Sequence, residues 1–417
     1  MVNIERILTN LDELAQFNAT PGQGITRLSF TPEDRRAREW FIAKAKDLGM
    51  KVRIDAAGNI FARLAGGSGP ALLAGSHLDS VPNGGKLDGA LGVVLALEMA
   101  TQVVAERDNL KRPFEVVVWT DEEAAHFNTG PFGSRAATGQ VPADELLTAR
   151  SKDGVVLGDA LREFASGDIA SAKLDPNDYY GYLEVHIEQG ARLIEEGYQV
   201  GIVEGVVGIA RMEVNITGQA NHAGTTPMNR RRDALYTAAR IVLETRKLGL
   251  KYMPGVATVG SLRVLPGAVN VIPGEVQLFI EVRHLSADTV EDMVREAEGF
   301  VQALCVEEGL CATTRRIKGS QATLTSPIFT ALLTSQANAL GYENLALPSG
   351  AGHDAQHLAR IMPIGMLFVP SIGGISHSPQ EDSKPDDIAA AANVLLGAVR
   401  HVLGLNGTET ACESDSR

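Results

Sequence analysis

Nine histidines occur in the chain, and four of them, His77, His186, His222 and His377, lie in short polar windows bordered by glycine or small residues. A histidine alone is more often packed or surface-exposed than a ligand, so its neighbours decide. His77 and Asp79 form His-Leu-Asp at the end of an apolar run. Alternate residues of a strand share a face, so one can bind a metal ion while the other contacts its ring or the nucleophile. Asp88 follows in Gly-Gly-Lys-Leu-Asp-Gly, where glycines permit a tight path back toward His77. Taken alone, Asp88 also reads as a helix N-cap. Thr120-Asp121-Glu122-Glu123 comes directly after the apolar FEVVVW. Three adjacent acids repel one another unless cations sit between them; the other reading is a solvated acidic turn. In YLEVHIEQG, Glu184, His186 and Glu188 share one strand face, opposite Leu183, Val185 and Ile187. His377 lies in GGISHSPQE, a loop marked by glycine and proline.

Three imidazoles with carboxylates are a donor set for Zn2+ or Mn2+, with Co2+ or Ni2+ as further options. His77, Asp88, Glu123, His186 and His377 can serve two ions about 3.5–4 Å apart if one carboxylate bridges. A bound ion acidifies water, and Glu122 is the residue expected to take the proton and return it to a leaving nitrogen. The expected chemistry is metal-assisted hydrolysis. Rival signatures are missing from the sequence: there is no G-x-G-x-x-G turn, no complete P-loop, no G-x-S-x-G elbow and no H-E-x-x-H.

These residues need a scaffold that gathers them. PALLAGSHLDS and PFEVVVWTDEE read as buried strands that end in polar residues, and DGALGVVLALEMATQVVAER reads as the helix between. Apolar strands alternating with helices point to an α/β sheet, in which ligands gather beyond the strand C-termini. KVRIDAAGNIFARL reads as strand, turn at Gly58-Asn59, strand. Residues 1–50 read as helices around a loop, the second capped by Thr31-Pro32-Glu33-Asp34. Near residue 211 the texture changes. RMEVNITGQA, GVATVGSLRVLPGAVNVIP and EVQLFIEVRHL read as strands, RRRDALYTAARIVLETRKL and DTVEDMVREAEGFVQALCVEEG as helices, in β-α-β-β-α-β order. That order is expected of a ferredoxin-like α+β module. The α/β texture returns after about residue 328. The expected domains are 1–211 and 328–417 for one catalytic domain, split by an inserted 212–327. GTETACESDSR reads as disordered.

Composition bounds the class. At 417 residues two domains are the natural prior. A net charge of −13 disfavours a nucleic-acid surface, and Arg230, Arg231 and Arg232 read as a solvated helix start. No apolar run reaches the roughly 18–20 residues that cross a bilayer, and the acidic, amphipathic N-terminus is unlike a secretory signal. Cys305, Cys311 and Cys412 cannot all pair, so no disulfide framework and a cytoplasmic setting are expected.

GSHLDS, GGKLDGALG, TDEE, LEVHIEQG, NHAGTTPM, VNVIPG, SGAGHD and GISHSPQE, in this order, resemble the hydantoinase/carbamoylase branch of the di-metal aminoacylase and exopeptidase superfamily. Its members include N-carbamoyl-L-amino acid hydrolases, allantoate amidohydrolases and β-ureidopropionases. The resemblance covers nearly the whole chain. It implies a mixed-sheet, zinc-exopeptidase-like catalytic domain with an inserted lid and dimerisation domain, and a homodimer. It implies His77, Asp88 and His186 on one metal and Asp88, Glu123 and His377 on the other, with Asp88 bridging. Asp79 and Glu122 match the two catalytic acids. His222 matches a histidine that polarises the scissile carbonyl. Asn270 and Arg283 match residues that hold a substrate carboxylate, which a guanidinium binds bidentately. Gln189, Gly352 and His353 match other pocket residues. One segment departs: Ala124-Ala125-His126-Phe127 stands where the family often has Gly-x-Arg-Phe. The expected substrate is a small molecule, an N-carbamoyl-L-amino acid of hydantoin utilisation. Allantoate or a β-ureido acid is the runner-up. A catalytically silent binding protein on the same scaffold is the rival from another class, and a dipeptidase of the same superfamily is a third reading.

Overall fold

The structure, a computed structural model, describes residues 1–142 and 144–405. The tail expected to be disordered, with Cys412 in it, lies outside the described residues. The chain forms two compact units. One joins Met1–Glu204 to the chain from Thr325 onward, and the other is Gly205–Leu324.

The first unit is a mixed α/β layer structure. Its strands run across the sheet in the order Lys51–Ile54, Ile60–Leu64, Phe114–Trp119, Ala71–His77, Tyr179–Ile187, Ile364–Val369, Val200–Val206. The four in the middle are parallel to one another. Pairing turns antiparallel on both flanks. Nearly every residue of the four central strands is buried, which is why Ala71–His77 and Phe114–Trp119 read as apolar runs; Tyr179–Ile187 is buried too, although it carries Glu184 and His186 on one face. Register sets Trp119 beside His77 and Phe368 beside His186. The four strands therefore finish at one edge, and the segments that follow them emerge together.

The helix Ala90–Val103, apolar all round, is buried on nearly every side. It packs on Ala71–His77, with Ile4–Ala15 and Pro385–Leu403 against it. Its one acid, Glu98, is buried but satisfied: Arg6 donates Nε at 2.7 Å and Nη2 at 2.8 Å, and the Asn3 amide adds a third bond. Ile7, Leu11 and Leu14 form the inner stripe of the first helix. Thr31 caps Pro32–Asp47 as its sequence suggests, accepting from the Asp34 amide. Asp34 itself is turned inward, onto the Phe30 amide and the Arg38 guanidinium.

The second unit has the β-α-β-β-α-β order. Its strands are Gly208–Thr217, Val256–Leu265, Glu275–His284 and Cys311–Ser320, and its helices are Ala234–Lys251 and Ala287–Glu307. The sheet runs Cys311–Ser320, Gly208–Thr217, Glu275–His284, Val256–Leu265, antiparallel throughout. Met212, Val214 and Ile216 alternate inward, as do Val276, Leu278, Ile280 and Val282, onto Ile241, Leu248, Met293 and Val301 of the helices. At the two ends of the unit Gly205 and Val206 pair with Leu324 and Thr323. Arg230–Arg232 precede the helix that they were expected to start: Asp233 caps it, and Arg231 donates to the Thr226 and Ala223 carbonyls. That ties the arginine to the loop bearing His222. Among the described residues no helix is long and apolar enough to cross a membrane.

Candidate metal centre

Four segments leave the common edge of the parallel strands and carry the chemistry. His77 is the last residue of its strand. Glu122 and Glu123 follow Phe114–Trp119, His186 lies one residue before its strand end, and His377 is in the loop after Ile364–Val369. Asp88 arrives from the loop before Ala90–Val103. It does not cap that helix, since the capping position is Gly89 and no side chain bonds there. Instead its carboxylate is buried among imidazoles, with Oδ1 3.1 Å from His186 Nε2 and 3.4 Å from His77 Nε2. Oδ2 is 3.5 Å from His377 Nε2, which is 3.4 Å from Glu123 Oε1. The donor atoms of His77, Asp88 and His186 all lie within 4.8 Å of one another, as do those of Asp88, Glu123 and His377. Asp88 belongs to both groups.

Imidazole tautomers follow from their partners. His77 Nδ1 is 3.0 Å from the Asp79 carbonyl, and His186 Nδ1 is 2.9 Å from the Ile187 carbonyl. A carbonyl only accepts, so each Nδ1 carries a hydrogen, and each Nε2 turns toward carboxylate oxygens, with a lone pair there whenever the ring is neutral. Lone pairs facing anions require a proton or a cation between them. His77 Nε2 and Glu123 Oε1 are buried with no hydrogen-bond partner. This donor set fits divalent metal ions.

The electrostatics agree. Burial alone lowers both histidines, but the acids outweigh it. Glu122, Asp88 and Asp79 hold His77 well above its usual range, and Asp88 with Glu184 pushes His186 to about 9. Burial pushes Glu122 well above the carboxylate range, and Asp354, Glu123 and Asp79 push it further. Burial and Asp88 raise Glu123 to about 7. Positive charge brought among them would relieve all of these acids. Asp121 stands apart from the acid triplet. At φ 55 it turns its buried carboxyl onto Ser29 and Thr129, and burial with Asp79 raises it to about 8. Of the three adjacent acids, Glu122 and Glu123 face the histidines and Asp121 does not.

Asp79 joins two of the segments, taking the Glu122 amide on Oδ1 and the Glu123 amide on Oδ2, both at 3.1 Å. Glu122 Oε2 is 3.7 Å from His77 Nε2. Gln189 donates Nε2 to Asp88 Oδ2 at 2.9 Å. His353 is buried against the His186 ring, 4.5 Å between centroids, with Nε2 on Ser349 Oγ. Burial holds it well below its usual range, and therefore neutral. Gly352 is exposed, with ordinary backbone and room for a side chain. Asp121, Ala124, Gln189 and His377 all adopt positive φ without being glycine. Such backbone is expensive and concentrates where side chains must be aimed. At Ala124 it explains why glycine suits the matching position. His126, in the same departing segment, places Nδ1 2.6 Å from the Ser29 carbonyl.

The remaining expected residues lie in the second unit. His222 pairs with Val271, and the Ala223 amide donates to the Asn270 carbonyl at 2.9 Å, so His222 and Asn270 neighbour each other on an exposed loop cluster. Arg283 is engaged with Glu281, donating Nε at 2.8 Å.

Three polar residues went unselected in the sequence. Glu381 accepts the Leu87 and Asp88 amides. Glu184 accepts from Ser76 Oγ at 2.8 Å and from the Ala355 amide at 3.0 Å, bracing the strands that bear His77 and His186. Asp354 is fully buried beside them. Each lies in the same short motif as a histidine, which was the available signal. Glu188, expected on the His186 face, instead accepts the amides of Arg192 and Leu193 at the next helix.

Comparison with known proteins gives one answer. Residues 73–401 match peptidase family M20/M25/M40. The chain is 39% identical over 403 residues to an N-carbamoyl-L-amino acid amidohydrolase of Geobacillus stearothermophilus, covering 96% of this chain and 98% of that protein. It is 33% identical over 399 residues to an allantoate amidohydrolase of Escherichia coli (strain K12), covering 94% and 96%. The solved structure of a hydantoinase/carbamoylase family amidase from Burkholderia ambifaria superposes with a TM-score of 0.90 at 35% identity, covering 97% of this chain and 98% of that one. The chain therefore belongs to peptidase family M20/M25/M40, in its hydantoinase/carbamoylase branch, and is an amidohydrolase acting on C–N bonds of linear amides.

Proposed function

We propose that this amidohydrolase cleaves N-carbamoyl-L-amino acids to the L-amino acid, ammonia and carbon dioxide. The observation that carries the reading is the convergence of two ligand groups on Asp88, next to a largely buried acid, Glu122, that belongs to neither. His77, Asp88, His186, Glu123 and His377 would hold divalent ions, which would supply Lewis acidity toward a carbonyl oxygen and lower the pKa of water; Zn2+ and Mn2+ suit the donors best, with Co2+ or Ni2+ next. Glu122 takes the proton of the attacking water and returns it to the leaving nitrogen. Asp79 orients the His77 ring and, through two amides, the Glu122–Glu123 turn. His222 donates to the developing oxyanion, Asn270 and Arg283 hold the substrate carboxylate, and Gln189, Gly352 and His353 line the pocket.

The similarity to an N-carbamoyl-L-amino acid amidohydrolase over almost the full length favours this substrate. The allantoate relative supports the second reading. Ammonia release from N-carbamoyl-L-methionine, N-carbamoyl-β-alanine and allantoate, compared at equal concentration, separates them. The first is expected to be fastest. No release from it would overturn the assignment, and turnover of allantoate alone would establish the second reading. Hydrolysis of dipeptides in its place would move the protein to the dipeptidase reading.

The inserted unit is proposed as the lid and dimerisation domain of a homodimer. Its edge strand exposes Val256, Leu262 and Leu265, and Tyr236, Leu243 and Leu250 are exposed at seven-residue spacing along Ala234–Lys251. An apolar helix stripe beside an open strand edge is what self-association covers. Sedimentation is expected to give twice the chain mass, and Leu243→Asp with Leu250→Asp to give a monomer. A monomeric parent protein would refute it.

A further inference from the structure

Asp88 can serve both ligand groups only if its carboxylate stays between His186 and His377. Gln189 Nε2 donates to its Oδ2 at 2.9 Å, and a second restraint comes from a segment almost three hundred residues away. Glu381 is 5% exposed. Its Oε1 accepts the amides of Leu87 and Asp88, both at 3.0 Å. Its Oε2 is 3.1 Å from Ser376 Oγ, and that hydroxyl is 3.0 Å from Asp88 Oδ2. Ser376 immediately precedes His377. The loop is moulded on this carboxylate: a Cβ at Gly85 would lie 2.1 Å from Glu381 Oε1. One buried side chain therefore holds the backbone of Asp88 and, through Ser376, reaches the tip of its carboxylate beside His377.

We propose that Glu381 is a positioning residue that locks Asp88 between the two ligand groups by tying the Asp88 loop to the His377 loop. The inference rests on the reading of Asp88 as a shared metal ligand. Without Glu381 two buried amides lose their acceptor, and the loop must move to satisfy them. Because Asp88 belongs to both groups, such movement weakens both. Partners of this outer kind typically hold about 10–100-fold of metal affinity.

The test uses the full-length chain loaded with Co2+. Metal dissociation constants come from chelator competition, ligand geometry from the Co2+ absorption bands, and kcat and KM from saturating metal. Glu381→Ala is expected to weaken metal binding by about 10–100-fold and to shift the Co2+ bands. At saturating metal, KM should be close to that of the parent. Glu381→Gln keeps an oxygen for both amides and should recover most of the affinity. Ser376→Ala, which removes only the link to the carboxylate tip, should fall between. Unchanged affinity and bands in Glu381→Ala would overturn the proposal. So would a Glu381→Gln variant as impaired as Glu381→Ala, since charge rather than amide acceptance would then be at work. If Glu381→Ala does not fold, unchanged affinity and bands in Ser376→Ala overturn it equally. Asp88→Ala separates the two levels. Metal retained there sinks the shared-ligand reading itself, whereas metal lost there but kept in Glu381→Ala sinks only the positioning role.

Discussion

Glu122→Gln is expected to bind metal like the parent protein and to turn over about 10³-fold more slowly, within the range that a positioned general base supplies. The two halves of this expectation have separate structural grounds. Metal binding should survive because Glu122 lies outside both ligand groups. What fixes its segment is its main-chain amide on Asp79 Oδ1, which the substitution leaves alone. The amide side chain fills the same volume. Turnover should collapse because glutamine cannot accept a proton from water or deliver one to nitrogen. The acid is well placed for this work: largely buried, crowded by Asp354, Glu123 and Asp79, and opposed by His77. Burial and these acids raise its proton affinity, and cations bound beside it would draw it back toward the carboxylate range, where it can both accept and return a proton. Metal content per chain measured beside kcat decides the matter. Undiminished turnover would remove Glu122 from the mechanism. Loss of metal together with turnover would make it a ligand. The same variant bears on the silent-scaffold alternative, since a protein that only binds would release no more ammonia with Glu122 in place than after Glu122→Gln.

Much of this architecture was legible because burial leaves a periodic trace. Ala71–His77, Phe114–Trp119 and Ile364–Val369 are largely apolar runs since helices cover both faces of a parallel sheet, whereas Tyr179–Ile187 alternates, with Glu184 and His186 on one face. Polar residues at the ends of apolar runs have few places to be other than the ligand edge, which singled out His77 and Glu122 with Glu123; His186 stood out by its alternation. His377 needed its loop context. The β-α-β-β-α-β order of the second unit was readable for the same reason, from inward alternation such as Met212, Val214 and Ile216.

What was not legible concerns the sign of a dihedral angle and the identity of a backbone partner. Asp121 reads like its two neighbours, but its φ of 55° points it away onto Ser29. Asp88 reads equally as a cap and as a ligand, and only the backbone of Gly89 settles that the cap position is one residue later. Glu381 works on two amides of a distant loop, and no side-chain pattern announces an amide acceptor. Arg283 offers a carboxylate clamp by type, yet in the structure its guanidinium rests on Glu281. A substrate carboxylate would have to compete with that glutamate, a matter of relative energy that residue type does not encode.

Gly89→Ala is expected to cripple the centre without replacing a ligand. Gly89 sits at φ 65 and ψ −53, immediately after Asp88 and before the buried helix. A side chain at such a positive φ costs about 1–2 kcal/mol in backbone strain. The larger cost is steric. An ideal Cβ there lies 2.3 Å from His77 Cε1, 2.4 Å from Nδ1 and 2.5 Å from Nε2. The ring is 1% exposed and held by Nδ1 on the Asp79 carbonyl at 3.0 Å, so it has no easy retreat. To reach ordinary contact, ring and Cβ must separate by roughly 1 Å, and a misplacement of that size costs about 10²-fold in rate. Metal affinity of the His77, Asp88 and His186 group should fall with it. A general loss of stability would also lower activity, so the decisive measurement is a double-mutant cycle on metal affinity. If the methyl group acts by displacing the His77 ring, then Gly89→Ala should cost far less in a His77→Ala background than in the parent protein, because the ring it displaces is already gone. Additive effects would show that the helix start, not the imidazole, bears the damage, and undiminished metal binding in the single variant would show that the loop can give way where the structure has it packed tight.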